Sequence, residues 1–370
     1  MGPLHELAKR GQSVWIDFID RRLITSRRLE RMVRDDGVVG MTSNPTIFQK
    51  AIGEQPEYEE PLRQAIAADP SRNAKALFEL LAIEDICMAA DTLRPTFDHT
   101  NGVDGMVSLE PDPGIASDTQ ATIAEARRLW HVVDRPNIFI KVPATAAGIP
   151  AIEQLLSEGM NINITLMFSM AHYEAVAQAY LKAMERVRDP KRVASVASFF
   201  VSRVDTAVDK QLEKIGTGEA LALRGKAAVA NSVVVYQRYK ELFEGPGFAR
   251  LKARGARVQR VLWASTSTKN PAYSEVLYVK DLVAANTVNT LPLNTLEVLS
   301  KYTAEIKTWT MPSLSEAKAT LASLRRVGVN LDQATEQLQV EGVKLFDDSY
   351  LKMLEAVEVK RRAFMSAGVS

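Results

Sequence analysis

The sequence predicts an α/β fold of the (β/α)8 barrel (TIM barrel) class with additional C-terminal helices, on three observations. Short β-branched runs alternate with longer amphipathic stretches over most of the chain. Eight such runs are present, and in five of them polar side chains occupy one parity only, near the C-terminal end of the run. Regular alternation implies a parallel sheet, and closure at eight strands makes a barrel. An open doubly wound sheet is the alternative, but no GxGxxG follows the first strand.

Taken in order, residues 14–19 (VWIDFI) form the first strand, with Val14, Ile16 and Phe18 on one face and Asp17 on the other. Residues 38–42 form the second and run into MTSNPTIF. There Thr42 or Asn44 suits an N-cap ahead of Pro45 in the first helical turn, a role compatible with Asn44 also lining a site. Residues 47–101 hold helices of their own. The third strand, 105–110, puts Ser108 and Glu110 on one face; alternatively Glu110 caps the helix that begins near Ser117. A helix at 118–132 leads to the fourth strand, 137–142, where Phe139 and Lys141 oppose Ile138, Ile140 and Val142. A helix at 149–158 precedes the fifth strand, 161–168, in which Asn163, Thr165 and Met167 alternate with Ile162, Ile164 and Leu166. After a helix at 171–187 comes the sixth strand, 193–201, with Ser198 and Phe200 on one face. A helix at 221–243 then leads to strands at 260–266 and 286–290. Residues 313–326 and 331–362 read as helices packed on the barrel rather than as a separate domain, because no Gly/Ser/Pro linker precedes them. The whole chain, 1–370, is expected to be one barrel domain, with residues 300–370 as its C-terminal helices.

A strand alternates its side chains between the barrel interior and the surrounding helices, and both faces of a parallel strand are normally apolar. The polar parity therefore converges Asp17, Glu110, Lys141, Asn163, Thr165 and Ser198 at the end where barrels carry their active sites. Lysine is rarely buried without a purpose, although a strand-end lysine can bury its stem and lift its ammonium to water. A lysine that attacks a carbonyl must be neutral, so its pKa must fall from about 10.4 towards about 7–8, at a cost of about 4 kcal/mol. Desolvation inside a barrel supplies much of this. Schiff-base chemistry also needs an acid–base partner, and Asp17 and Glu110 are the candidates. For phosphate, two patches stand out: Ser198 with Arg203, and Ser265, Ser267 and Lys269 after the seventh strand. Barrels often hold phosphate near the last strands, and the arginine fork matches its geometry.

Composition narrows the rest. The 370 residues carry a formal net charge of +1, so no long-range field favours nucleic acid. Cys87 is the single cysteine, which leaves no intrachain disulfide and no cysteine-based zinc site. The four histidines are scattered, and no metal is expected. The N-terminal MGPLHELAKRGQSVW has no apolar run of signal-peptide length, and no segment has that of a membrane span, so the expected location is the cytoplasm, away from the membrane.

The segments TSNPTIF, VSLEPDPGIASDT, IFIKVPATAAGIPAIEQLLSEGMNINITLMFS, VASFFVSRVD, LWASTSTKNP and VEGVKLFDDSYLKML cover nearly the whole chain. Together they resemble the transaldolase family, in the longer form found in bacteria. The resemblance implies a cofactor-free transfer of a dihydroxyacetone unit in the non-oxidative pentose phosphate pathway. The donor would be sedoheptulose 7-phosphate or fructose 6-phosphate, and the acceptor glyceraldehyde 3-phosphate or erythrose 4-phosphate. It places the Schiff-base lysine on Lys141 and the general acid–base on Asp17. The pair that positions a water falls on Glu110 and Thr165. Substrate contacts fall on Asn44, Asn163, Ser198, Phe200, Arg203 and Ser265. A second phosphate arginine known in the family would fall on Ser267, where it is missing; Lys269 is the candidate replacement. Two alternatives remain. One is a fructose-6-phosphate aldolase that releases free dihydroxyacetone; such enzymes carry tyrosine where this chain has Phe200. The other is a non-catalytic sugar-phosphate-binding barrel. A monomer and a homodimer are both compatible with the sequence.

Overall fold

The computed structural model describes residues 2–302 and 304–367. Its centre is a closed barrel of eight parallel strands in sequential order. These are β1 (Gln12–Asp17), β2 (Gly40–Thr42), β3 (Met106–Leu109), β4 (Ile138–Pro143), β5 (Ile162–Met167), β6 (Ser195–Phe200), β7 (Arg260–Ala264) and β8 (Thr287–Leu291). Pairing of β8 with β1 closes the ring. The predicted fold class is therefore borne out. Strand limits shift: the first strand starts at Gln12 and stops at Asp17, and β3 stops at Leu109, which puts Glu110 on the loop beyond it.

The helix-facing parity is mostly apolar, with Val14, Ile16, Ile138, Ile140, Ile162, Ile164, Val261 and Trp263 all buried, and Gln12, Ser195, Thr287 and Asn289 are its buried polar exceptions. Parity holds along β5 only as far as Thr165. Leu166 adopts a left-handed backbone (φ 60°), and the β5–β6 register shifts between Ile164 and Met167. Met167 consequently pairs with Phe199 rather than continuing the face of Asn163 and Thr165 as predicted, while Leu166 turns towards the barrel mouth. A bulge of this kind commonly ends a strand beside a site.

Inside the barrel the lower layer is bulky. Trp15 stacks on Phe139 with ring centroids 6.0 Å apart. Gly40 faces the same indole: a Cβ there would lie 2.6 Å from the ring, so β2 needs glycine where the tryptophan crosses it. Below Trp15, at the N-terminal end, Arg260 pairs with Asp104 at 3.0 Å. Asp104 also accepts hydrogen bonds from Ser13 Oγ (2.8 Å) and Trp15 Nε1 (3.0 Å). Sequence reading did not anticipate this buried network.

The region between β2 and β3 holds the helices Pro45–Glu54, Glu59–Ala68 and Ala74–His99, as expected. Asn44 caps the first of these by accepting the Ile47 N–H at 3.0 Å, with Pro45 at the opening position. The predicted helix at 221–243 is interrupted: a short helix, Gly218–Leu221, is followed by a turn through Gly225 and then by Ala227–Tyr239. Asp209 takes the Gly225 N–H and holds that turn. At the C-terminal side, Leu314–Arg326 opens on a capping box made by Ser313 and Glu316. Leu331–Ala367 follows, 37 residues long. It packs against Pro45–Glu54, Ala74–His99 and the helix Ser202–Ile215, and so crosses the C-terminal mouth of the barrel. None of the described helices is long and apolar enough to span a membrane.

Candidate active site

The strand ends build the site in layers. Deepest is a buried polar chain in which Ser198 Oγ donates to Asn163 Oδ1 (2.6 Å) and Asn163 Nδ2 donates to Ser108 Oγ (3.0 Å). It fixes the Asn163 amide beside Lys141, its partner in the β4–β5 ladder. Asn163 lies beneath the cleft rather than on its wall.

Lys141 stands above this layer and is 5% exposed. Its Nζ donates to the Ser43 carbonyl at 3.1 Å and meets Glu110 Oε2 at 3.4 Å. The Phe346 ring from the Leu331–Ala367 helix lies 5.5 Å from the ammonium. Burial pushes the Glu110 carboxyl above its usual pKa, and Lys141 opposes the rise. The helix that begins at Thr119 is capped by Asp118, so Glu110 has no capping duty and is committed to the lysine.

Asp17 reaches the same chamber from β1. Burial raises its pKa too, against the pull of Lys141 and of a hydrogen bond from Thr42. Thr42 Oγ1 donates to Asp17 Oδ1 at 2.7 Å, which uses its only proton. The 2.7 Å contact between Thr42 and Thr290 must then run from Thr290 to Thr42, and both hydroxyls point their donors towards the carboxylate. Thr165 is fully buried, and among the described residues its Oγ1 has no hydrogen-bond partner.

These groups face a cleft of about 430 Å³. Asp17, Lys141, Thr165 and Ser198 lie at its floor, and Asn44, Phe200, Arg203, Ser265 and Lys269 on its walls. Glu110 sits behind Lys141, on a small void of about 20 Å³ shared with Leu166 and Phe346. Of the eleven residues singled out in the sequence, nine line the cleft, Glu110 adjoins it through Lys141, and Asn163 supports it from below.

The far end of the cleft is cationic. The Arg203 guanidinium stacks on Phe200 at 5.4 Å. Lys269 Nζ donates to Ser267 Oγ at 2.7 Å. Ser265 has a left-handed backbone (φ 56°), and its Oγ lies 3.0 Å from that of Ser202. Desolvation lowers the pKa of both cations, and Arg203 lowers that of Lys269 further. Among the described residues neither forms an ion pair with a carboxylate. No group of three His, Cys, Asp or Glu side chains is arranged to hold a metal among the described residues.

The chain matches the family model described as Transaldolase/Fructose-6-phosphate aldolase over residues 14–357. It is 49% identical over 359 residues to the protein named Transaldolase of Acidothermus cellulolyticus, covering 96% of each chain. The chain belongs to the transaldolase/fructose-6-phosphate aldolase family. The proteins of the same name from Parafrankia sp. and Thermobifida fusca are 47% and 45% identical, each over 96% of this chain and 97% of theirs. Within this family setting, sequence reading missed Phe346, Thr290 and the Ser43 carbonyl. Phe346 falls in the segment VEGVKLFDDSYLKML, but an amphipathic helix pattern does not say which of its residues meets a lysine.

Proposed function

We propose that this protein is a transaldolase that moves a dihydroxyacetone unit from a ketose phosphate to an aldose phosphate through a Schiff base on Lys141. The observation that carries the reading is the buried amine between two carboxyls, sharing one cleft with an unpaired cationic end. An amine and a cationic end in one cleft suit the two ends of a sugar phosphate such as sedoheptulose 7-phosphate or fructose 6-phosphate.

Neutral Lys141 attacks the C2 carbonyl. The carbinolamine loses water to give the iminium, with the proton passed by Glu110 and a water held against Thr165. Asp17 takes the C4 hydroxyl proton, the C3–C4 bond breaks, and its electron pair is stored as the enamine. The shortened aldose phosphate leaves. The enamine carbon then attacks the aldehyde of glyceraldehyde 3-phosphate or erythrose 4-phosphate, Asp17 returns the proton, and water releases the new ketose. Asn44 holds a hydroxyl of the three-carbon unit, and Asn163 steadies the floor beneath it. Arg203, Ser265 and Lys269 hold the phosphate, with Lys269 standing in for a second arginine. Phe200 and Phe346 limit access of water to the enamine. No metal or organic cofactor takes part in these steps. We place the enzyme in the cytoplasm, as a monomer or homodimer.

The test is borohydride reduction in the presence of fructose 6-phosphate, followed by intact mass and peptide mapping. A reduced three-carbon adduct on Lys141, absent in Lys141→Met, supports the reading. Product formation must also depend on added erythrose 4-phosphate. Release of free dihydroxyacetone without an acceptor would point to the aldolase alternative, and binding with no adduct to a non-catalytic barrel.

A further inference from the structure

The β4–β5 pairing ends at Pro143 and Thr165, because the left-handed Leu166 swings the chain out of the ladder. The last rung is the Ala144 N–H on the Thr165 carbonyl, 2.8 Å. Beyond it the carbonyls of Ala144 and Leu166 have lost their neighbours in the sheet. Both are taken up by a single side chain from a distant part of the sequence. Gln339 Nε2, on the Leu331–Ala367 helix, donates to Ala144 O and to Leu166 O at 3.0 Å each. A carboxamide NH2 has two hydrogens, one for each carbonyl. Three residues on, Gly342 lies against Leu166 so closely that a Cβ there would stand 2.8 Å from its Cδ2.

We propose that Gln339 is a positioning residue: it replaces the missing rung of the sheet by holding the Leu166 carbonyl, and so fixes the left-handed backbone next to Thr165, keeping the Thr165 hydroxyl aimed at the lysine. This rests on the role given above to Thr165. The backbone of Leu166 is in a region that a leucine does not hold without support from its surroundings. Among the described residues Thr165 Oγ1 has no hydrogen-bond partner that would orient it. The Thr165 carbonyl is held within the sheet by Ala144, but the Leu166–Met167 peptide beyond it has to be held from outside the strand, and Gln339 is the side chain that holds it. Gln339 itself acts only through main-chain carbonyls, not on substrate.

The experiment is a double-mutant cycle of Gln339→Met, which keeps length and removes the donor, with Thr165→Val. Gln339→Met is expected to lower kcat on the order of 10- to 100-fold while KM stays within about twofold, because a small misplacement near the reacting atoms is costly. On the Thr165→Val background the same change is expected to lower kcat less than about twofold, since the group it positions is already gone. Gln339→Glu provides a second handle: its carboxylate repels both carbonyls, but its protonated form donates again, so its deficit should shrink as the pH falls. A full additive loss on the Thr165→Val background, or wild-type kcat in both Gln339 variants, would overturn the proposal. Wild-type turnover in Thr165→Val would overturn the threonine's role and this coupling with it, yet borohydride trapping on Lys141 would still report the lysine chemistry separately.

Discussion

The two ends of this barrel both bury charge, and they leave it in different states. At the N-terminal end Asp104 accepts from Arg260, Ser13 and Trp15 at 2.8–3.0 Å, and Arg260 also donates to Ser13 Oγ at 2.8 Å. At the C-terminal end Lys141 meets Glu110 only at 3.4 Å, and among the described residues Asp17 holds one side-chain hydrogen bond, from Thr42, and Thr165 Oγ1 holds none. One network is satisfied within the protein and has no capacity for a ligand. The other keeps protons and lone pairs for reacting atoms, and burial drives both of its carboxyls towards neutrality. Burial alone therefore does not mark a site; incomplete satisfaction does.

The sharpest way to break this comparison is Arg260→Met. Removing one partner of a buried pair leaves Asp104 uncompensated, which costs about 3–5 kcal/mol. Chemical denaturation should show that loss, while turnover per folded molecule stays near wild type. The double variant Arg260→Met with Asp104→Asn should recover part of the stability. If Arg260→Met instead removes activity without loss of stability, the N-terminal network belongs to the site and the contrast fails.

A smaller effect is expected at the cationic end. Arg203→Ala should raise KM for fructose 6-phosphate about 10- to 100-fold, the worth of a charge-assisted contact of about 1.5–3 kcal/mol, with kcat changed less. Lys269→Ala should do the same to a lesser degree. Unchanged KM in both variants would mean that phosphate binds elsewhere.

The smallest effect separates the two ends by pH. In Lys141→Met, Asp17 and Glu110 lose the cation that opposes their desolvation, so their folded pKa values rise further above the usual carboxylate range. For a carboxyl whose folded pKa is raised, the cost to stability is present above that pKa and disappears as the pH falls through it. The stability of Lys141→Met relative to wild type should thus improve by about 1 kcal/mol between pH 8 and pH 5, the equivalent of one pKa unit. A deficit that widens towards pH 5 would contradict the desolvated state of the two carboxyls.

Much of this was legible in the sequence because parallel strands write their burial with a period of two. Asp17, Lys141, Asn163, Thr165 and Ser198 interrupt apolar runs on one parity and meet at one end of the barrel. What was not legible depends on contacts between remote segments. Asp104 and Arg260 are 156 positions apart, and nothing local in the sequence links them. The left-handed Leu166 carries no local signal, since leucine is not a residue chosen for that conformation, and parity failed there for Met167. Gln339 and Phe346 lie in a regular amphipathic pattern that reveals the presence of a helix but not the depth to which it descends over the mouth.

That helix also sets an order in time. All eight strands are complete by Leu291, whereas Gln339 and Phe346 come later in the chain. During synthesis the strands leave the ribosome first, at about 5–20 residues per second. A nascent barrel thus exposes its lysine to solvent for several seconds before the covering helix emerges, and a chain interrupted in that interval is a barrel without a finished reaction chamber.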